Sequence, residues 1–229
     1  MINYTYLSVY LQVFCGVPAR KRLAPLKCTS FLPRCARGKT PHQKPLRLQA
    51  SPRFSSAEQL YDMVCKILSY GLIGIEAYPI EIEVDVRPGL PFVNFVGLPD
   101  QATKESKDRI KCAINNSGFK YPSDKITVNL APADIPKSGP AFDLAIALGI
   151  LGSSSQINKE ALSSFVFLGE LALDGNIRPV KGSLPIAMTM RDEAGSLKKL
   201  VLPEINAPEA AVIEEIEAYG VKNLKQAVH

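Results

Sequence analysis

A single α/β (α+β) domain over residues 63–229, behind a basic leader over residues 1–62, is the architecture to expect from this chain. Three observations lead there. Segments with the two-residue period of strands alternate with segments of helical period, the mark of a layered sheet-and-helix domain. Turn residues separate them at short spacing: Arg87-Pro88-Gly89, Gly97-Leu98-Pro99-Asp100 and Asp174-Gly175. Charge divides the chain as well. The first 57 residues contain ten Lys or Arg and no Asp or Glu, whereas the rest holds 17 basic and 22 acidic residues. The pI near 8.9 therefore belongs to the leader, and it is no argument for a nucleic-acid partner of the domain.

Regular patterning begins at Lys66. Ile80–Val86 (IEIEVDV) alternates strictly, with Ile80, Ile82, Val84 and Val86 on one face and Glu81, Glu83 and Asp85 on the other. The carboxylate row reads as a solvated face that discourages edge pairing, in preference to a metal or acid–base site. Leu90–Val96 is the next strand. Asp100 caps a helix running to about Ser117, with Gly118 as its stop. Ala102, Ile110, Ala113 and Ile114 of that helix face the core. Lys104, Lys107 and Lys111 share another face and form the candidate contact for nucleic acid or a partner; the plainer reading is a solvated face laced by Glu105 and Asp108.

Lys125–Leu130 is a further short strand. Ala141–Leu151 (AFDLAIALGIL) is apolar nearly all round, so that helix should be buried. Phe165–Leu173 and Asn176–Val180 pair as a hairpin about Asp174-Gly175. Ser183–Ala194 is a helix with Gly195 near its end, Leu200–Leu202 a strand, Ala207–Glu217 an acidic helix and Gly220–Leu224 a last strand.

Several functions are set aside by residue type alone. No apolar run reaches the roughly 18 residues of a membrane helix, so no membrane partner is expected. Cys15, Cys28, Cys35, Cys65 and Cys112 contain no C-x-x-C pair, and the only histidines are His42 and His229, which argues against a zinc site. The odd, scattered cysteines fit a reducing compartment. Pro33–Thr40 (PRCARGKT) approaches a P-loop, but Pro33 replaces the first glycine and no strand-to-helix context surrounds it. Gly38-Lys39-Thr40 is thus a chance match, and no ATP hydrolysis is expected of this polypeptide. The leader, rich in Arg, Lys, Pro, Ser and Leu, reads as an organellar transit peptide, a disordered tail or an extension upstream of a start at Met63.

Asn129–Gly149 (NLAPADIPKSGPAFDLAIALG) combines a strand end, a Pro/Gly turn and a greasy helix, the layout that presents a nucleophile or cradles a phosphate. Within it Ser138 reads as a helix N-cap with Pro140 in the first turn. Asp143 complements the helix dipole, and Asp134 makes an Asx-type turn. Lys137, Lys181 and Ser183 are neighbouring candidates by sequence, the last two suited to a solvent-facing loop and a helix cap.

Three stretches together carry a resemblance. GLPFVNFVGLPDQATKESKDRIKCAINNSGF, ITVNLAPADIPKSGPAFDLAIALGIL and FLGELALDGNIRPVKGSLPIA resemble the N-terminal domain of magnesium-chelatase-like AAA+ ATPases of the ComM/YifB type. The resemblance runs from about Met63 to His229, and it implies the fold shared by the Lon protease catalytic domain and ribosomal protein S-five domain 2. In that family an AAA+ module with a P-loop follows this domain. The chain is therefore expected to be a fragment or a stand-alone domain. ATP and Mg are expected only for that module, and no cofactor or metal for this chain. For the parent the resemblance implies ATP-driven DNA processing and branch migration in transformation and recombination, by a ring-forming homo-oligomer.

Lon-type proteases use a Ser–Lys dyad. Pro136-Lys137-Ser138-Gly139-Pro140-Ala141 resembles the serine stretch, with Ala141 at the nucleophile position. Pro179-Val180-Lys181-Gly182-Ser183-Leu184 resembles the lysine stretch, with Leu184 at the lysine position. A methyl group cannot attack a carbonyl and an apolar side chain cannot act as the base. The resemblance thus implies a non-catalytic Lon-like domain that serves assembly, substrate guidance or regulation of an AAA+ ring. The alternatives are an active Ser–Lys peptidase of Lon type and a stand-alone nucleic-acid-binding or adaptor module. The compartment follows the leader: cytoplasm for a bacterial chain starting near Met63, plastid or mitochondrion if the leader is real.

Overall fold

Two-residue alternation builds the strands. Ile80, Ile82, Val84, Ile126, Val128 and Leu130 are all fully buried, so one face of each strand is packed. The computed structural model describes residues 64–229 except Pro136, Ser138, Ala194 and Ser196. The leader, its Gly38-Lys39-Thr40 run and Met63 lie outside the described residues.

The chain forms β1 (Val64–Ile73), β2 (Glu76–Arg87), β3 (Phe92–Val96), α1 (Gln101–Asn116) and β4 (Lys125–Ala131). A 3-10 turn (Pro140–Phe142) leads into α2 (Asp143–Ser153), followed by α3 (Lys159–Leu162), β5 (Val166–Phe167), β6 (Glu170–Leu171) and β7 (Ile177–Arg178). The last part comprises α4 (Ser183–Asp192), β8 (Lys199–Pro203), α5 (Ala207–Ala210), β9 (Glu217–Val221) and α6 (Leu224–Val228). Seven strands form one sheet in the order β3-β4-β2-β1-β5-β8-β9. β2 runs against its neighbours β1 and β4, and the remaining neighbours pair in parallel. The fold is α/β with a mostly parallel sheet.

Helices cover both faces of the sheet. α2 is buried at every position and lies on β1 and β2, where Gly149 and Gly152 let its backbone approach Val84 and Cys65. α1 packs beside it through Ile110, Ala113 and Ile114, while Ala102 is only half-buried. On the other face Tyr70, Val166, Leu168, Leu200 and Leu202 pack with Ile186 and Met190 of α4. This second layer stops short of β3.

Several expectations are corrected. β2 is an interior strand, so its carboxylates guard no edge; they are held instead by neighbours on the same face. Lys66 Nζ contacts Glu81 (2.6 Å) and Glu83 (2.8 Å), and Asn129 Nδ2 donates to Glu83 (2.9 Å). Phe165–Leu173 is not one strand. It breaks at Leu168-Gly169, because Leu168 N–H turns to Val201 and Gly169 N–H to Ala141. β5 therefore joins the main sheet, and β6 forms the hairpin with β7. The buried helix begins at Asp143 rather than Ala141. The acidic helix over Ala207–Glu217 shrinks to α5, after which Ile213 N–H bonds Ala210 and Ile216 N–H bonds Ile213. Those three-residue steps line up Ala210, Ile213 and Ile216 as the buried side chains. The last strand is Glu217–Val221, and Asn223 caps α6 where the sequence suggested more strand.

Candidate functional site

The turn between β4 and α2 is fastened by main-chain bonds. Gly139 sits at φ 91°, a conformation open to glycine, and leads into the 3-10 turn with Pro140 at its first position. The Ala141 carbonyl accepts from Gly169 N–H (2.9 Å), and the Gly169 carbonyl accepts from Leu144 N–H (3.0 Å). The N-terminus of α2 is thereby stapled to the bend between β5 and β6.

Asp100 joins this turn to α1. Its Oδ1 accepts from Thr103 N–H (2.7 Å) as the helix cap, and its Oδ2 accepts from Gly139 N–H (3.0 Å). Burial works to raise its pKa, but the hydrogen bonds from Thr103 and Gly139 outweigh it and hold the carboxyl below its ordinary range. Beside it, Asp100 N–H donates to the Lys137 carbonyl (2.9 Å) and Lys137 N–H to the Leu98 carbonyl (3.2 Å). The Lys137 side chain is buried, and its Nζ has no hydrogen-bond partner among the described residues. Burial lowers its pKa against the pull of Asp134. Ser138, proposed as a cap, lies outside the described residues; the residue that precedes the turn is Gly139.

Asp143 does more than complement a helix dipole. It is buried, accepts from Arg109 Nε (2.9 Å) and Nη2 (3.3 Å), and also accepts from Leu171 N–H (3.3 Å). One carboxylate thus ties α2 to α1 and β6. Burial raises its pKa to about 6, despite the opposing pull of Arg109 and the Leu171 N–H. Nothing in the local sequence names Arg109 as the partner, since it stands 34 residues away.

A cavity of about 370 Å³ opens beside the turn. One wall is Gly139, Pro140, Ala141 and Phe142; the facing wall is Pro179, Val180 and Lys181, with the end of β1 (Tyr70, Gly71, Leu72) between them. Asn206 holds the second wall by accepting from Val180 N–H and donating to the Val180 carbonyl, both at 2.9 Å. Sequence reasoning passed over Asn206, because its partner Val180 stands 26 residues away and no local pattern marks the amide. Tyr70 OH donates to Glu193 (2.7 Å); burial, then this bond, raises its pKa.

The structure brings Ala141 and Lys181 to one cavity but leaves Leu184 out of it. Leu184 is half-buried against the α4-side core. Gly182, at φ 85°, occupies the N-cap of α4, so Ser183 is the first helical residue and not the cap. The Ser183 Oγ is buried and has no hydrogen-bond partner among the described residues. No serine, threonine or cysteine is among the described residues that line the cavity, so the lining supplies no aliphatic hydroxyl and no thiol; its one hydroxyl, that of Tyr70, donates to Glu193.

Lys104, Lys107 and Lys111 are exposed along α1. The ion pairs among the described residues do not join them to Glu105 or Asp108, so the expected lacing is not what holds this face; Glu105 accepts from Gln101 instead (2.9 Å). Lys111 Nζ lies 6.0 Å from the centre of the Tyr121 ring. Among the described residues no group of three His, Cys, Asp or Glu is placed to hold a metal ion, and no helix is long and apolar enough to cross a membrane. A larger cavity of about 720 Å³, lined by Phe165, Phe167, Tyr219 and His229 among others, contains none of the sequence-predicted site residues.

Residues 82–206, which contain both cavity walls, match the family model described as subunit ChlI of Mg-chelatase. The chain is 40% identical to the competence protein ComM of Haemophilus influenzae over 162 residues, 71% of this chain and 31% of that protein. It is 42% identical to YifB of Escherichia coli over 62% of this chain and 27% of that protein. The chain belongs to the magnesium-chelatase-related family of the ComM/YifB type. It spans about a third of the length of the curated ComM relative it matches. A more distant similarity, 25% identity over 64% of this chain and 28% of the other protein, joins this ComM/YifB-type chain to Lon protease 2 of Bacillus subtilis.

Proposed function

We propose that residues 63–229 act as a non-catalytic, Lon-like N-terminal domain of a ComM/YifB-type AAA+ ATPase. On this reading the domain has the fold of the Lon catalytic domain and of ribosomal protein S-five domain 2. It serves assembly, substrate guidance or regulation of the ring. ATP and Mg are bound by the AAA+ module alone. The parent's task is DNA processing and branch migration, in keeping with a relative named as a competence protein. One observation carries the non-catalytic reading: Ala141 stands in the wall of the cavity, and no serine or threonine is among the described residues of the lining. A methyl group at position 141 cannot be the attacking atom of an acyl transfer.

The test is a fluorophosphonate probe applied to the full chain, followed by peptide mass spectrometry. No labelled serine is expected. Stoichiometric labelling of any serine would establish the Ser–Lys peptidase alternative and overturn the reading.

A second reading, nucleic-acid contact through α1, is favoured by the exposure of Lys104, Lys107 and Lys111 on one helix with no ion pair to Glu105 or Asp108 among the described residues. Exposed lysines at helical spacing are suited to phosphate oxygens, and such contact is salt-dependent.

A further inference from the structure

β3 is one edge of the seven-stranded sheet and pairs only with β4 among the described residues. An edge strand turns the N–H and C=O groups of alternate residues away from its neighbour, where another strand can pair with them. Proteins blunt such edges with short strands, proline, charged side chains, bulges or a cover. Here β3 is five residues long and Pro91 precedes it. This edge has none of those charges: no Asp, Glu, Lys or Arg occurs from Pro88 through Pro99. Leu90, Phe92, Val96 and Leu98 are 88%, 60%, 45% and 59% exposed. Val93 and Phe95 turn inward onto the core, so Phe92, Asn94 and Val96 stand on the sheet face that the α4 layer leaves open. The opposite edge differs. β9 begins at the exposed Glu217, which accepts from Tyr219 OH, and Lys222 follows the strand.

The order of residues selects the occupant. β3 itself, FVNFV, is nearly symmetric about Asn94: Phe92 matches Val96, and Val93 matches Phe95. Leu90 and Leu98 flank the strand and lie outside the pairing, Leu98 at φ 54°. An antiparallel pairing of two copies with Asn94 on the two-fold axis would set each apolar side chain against an apolar one and Asn against Asn. Cross-strand pairs of this kind are the unit of sheet stability, and a two-fold contact requires a self-complementary patch. Pairing β3 with β9 of a second copy would instead oppose Phe92 and Val96 with a strand that carries Glu217. We propose that β3 is a self-association edge, through which two copies of this chain pair antiparallel about Asn94 and continue one sheet across the dimer.

Sedimentation equilibrium of the full chain at sub-millimolar concentration should give twice the 24.9 kDa monomer mass. Phe92→Lys and Val96→Lys, at exposed positions, should each return the monomer mass with an unchanged far-UV CD spectrum. Asn94→Cys should yield a disulfide-linked dimer under mild oxidation, joined through position 94 in both chains, because directly opposed Cα atoms of an antiparallel pair lie about 4.5–5.5 Å apart. The exposed Cys112 of the same chains reports random collisional linking. A wild-type mass of one monomer overturns the proposal. So does an oligomer that persists in both lysine variants, or one that they dissolve while position 94 forms no link, which would indicate head-to-tail edge pairing.

Discussion

Gly182→Ala should cost the domain about 2–4 kcal/mol of stability, from two separable sources. Gly182 sits at φ 85° and ψ 24°, the left-handed region, at the N-cap of α4. An L-residue held there is disfavoured by roughly 1–2 kcal/mol. The added Cβ would also overlap Leu72 Cδ1, with Leu72 Cγ at 3.1 Å and Cδ2 at 3.3 Å. Overpacking of this kind costs about 1–3 kcal/mol. Leu72 is half-buried and lines the cavity, so its side chain can swing toward open space, which puts this contribution in the lower half of that range. Urea unfolding followed by far-UV CD measures the total from the midpoint, provided the slope is unchanged. In a Leu72→Ala background the overlap is gone and only the backbone contribution remains. The same glycine substitution should then cost about 1–2 kcal/mol. Equal costs in the two backgrounds, or a cost below about 0.5 kcal/mol in the wild type, would refute this account of the cavity wall.

Two further outcomes follow from the site. Burial raises the Asp143 pKa from 3.8 to about 6, so within that window the folded state holds a proton that the unfolded state has released. Stability should therefore fall as pH rises through the window and level off above it, by about 2–3 kcal/mol in all. Asp143→Asn should remove that part of the pH dependence, and a wild-type-minus-variant difference equal at about pH 4 and about pH 7.5 refutes it. On duplex DNA each lysine–phosphate contact adds about 0.9 to the slope of log affinity against log salt. Replacing Lys104, Lys107 and Lys111 together by alanine should thus flatten the slope by up to roughly 3. The leader's ten Lys and Arg contribute equally to both proteins, so the difference is the readout, and an unchanged slope removes α1 from any DNA contact.

What the sequence made legible was governed by short-range rules. The alternation of Ile80, Ile82, Val84 and Val86 announces a strand packed on one face, and β2 contains all four as buried residues. Asp100 announces a helix start because its carboxylate reaches an N–H only three residues on. AFDLAIALGIL announces a buried helix, and every residue of α2 is buried. Long-range partners decided the rest. The break at Leu168-Gly169 exists because Val201, Ala141 and Leu144 take its main-chain groups. Local pattern shows only a continuous apolar run there. The helix expected after Ala207 gives way to tight turns, because steps of three place Ala210, Ile213 and Ile216 together against the α4-side core. At the candidate site the two motif stretches were visible as separate runs. That Ala141 and Lys181 share a cavity while Leu184 packs half-buried against the α4-side core is a matter of how α4 is entered through Gly182.

The fastening of the β4–α2 turn has a consequence for how freely its chemistry can drift. The bonds that hold the turn come from the carbonyl of Ala141, both main-chain groups of Gly169, the N–H of Leu144, and the N–H of Gly139 on Asp100. None of them uses the side chain at position 141. Shape and reactivity are therefore separable here: a codon change at 141 turns a methyl into a hydroxymethyl group without touching the bonds that set the backbone. A scaffold built this way keeps its shape whatever side chain stands at 141, and so can carry different chemistry or none on the same backbone.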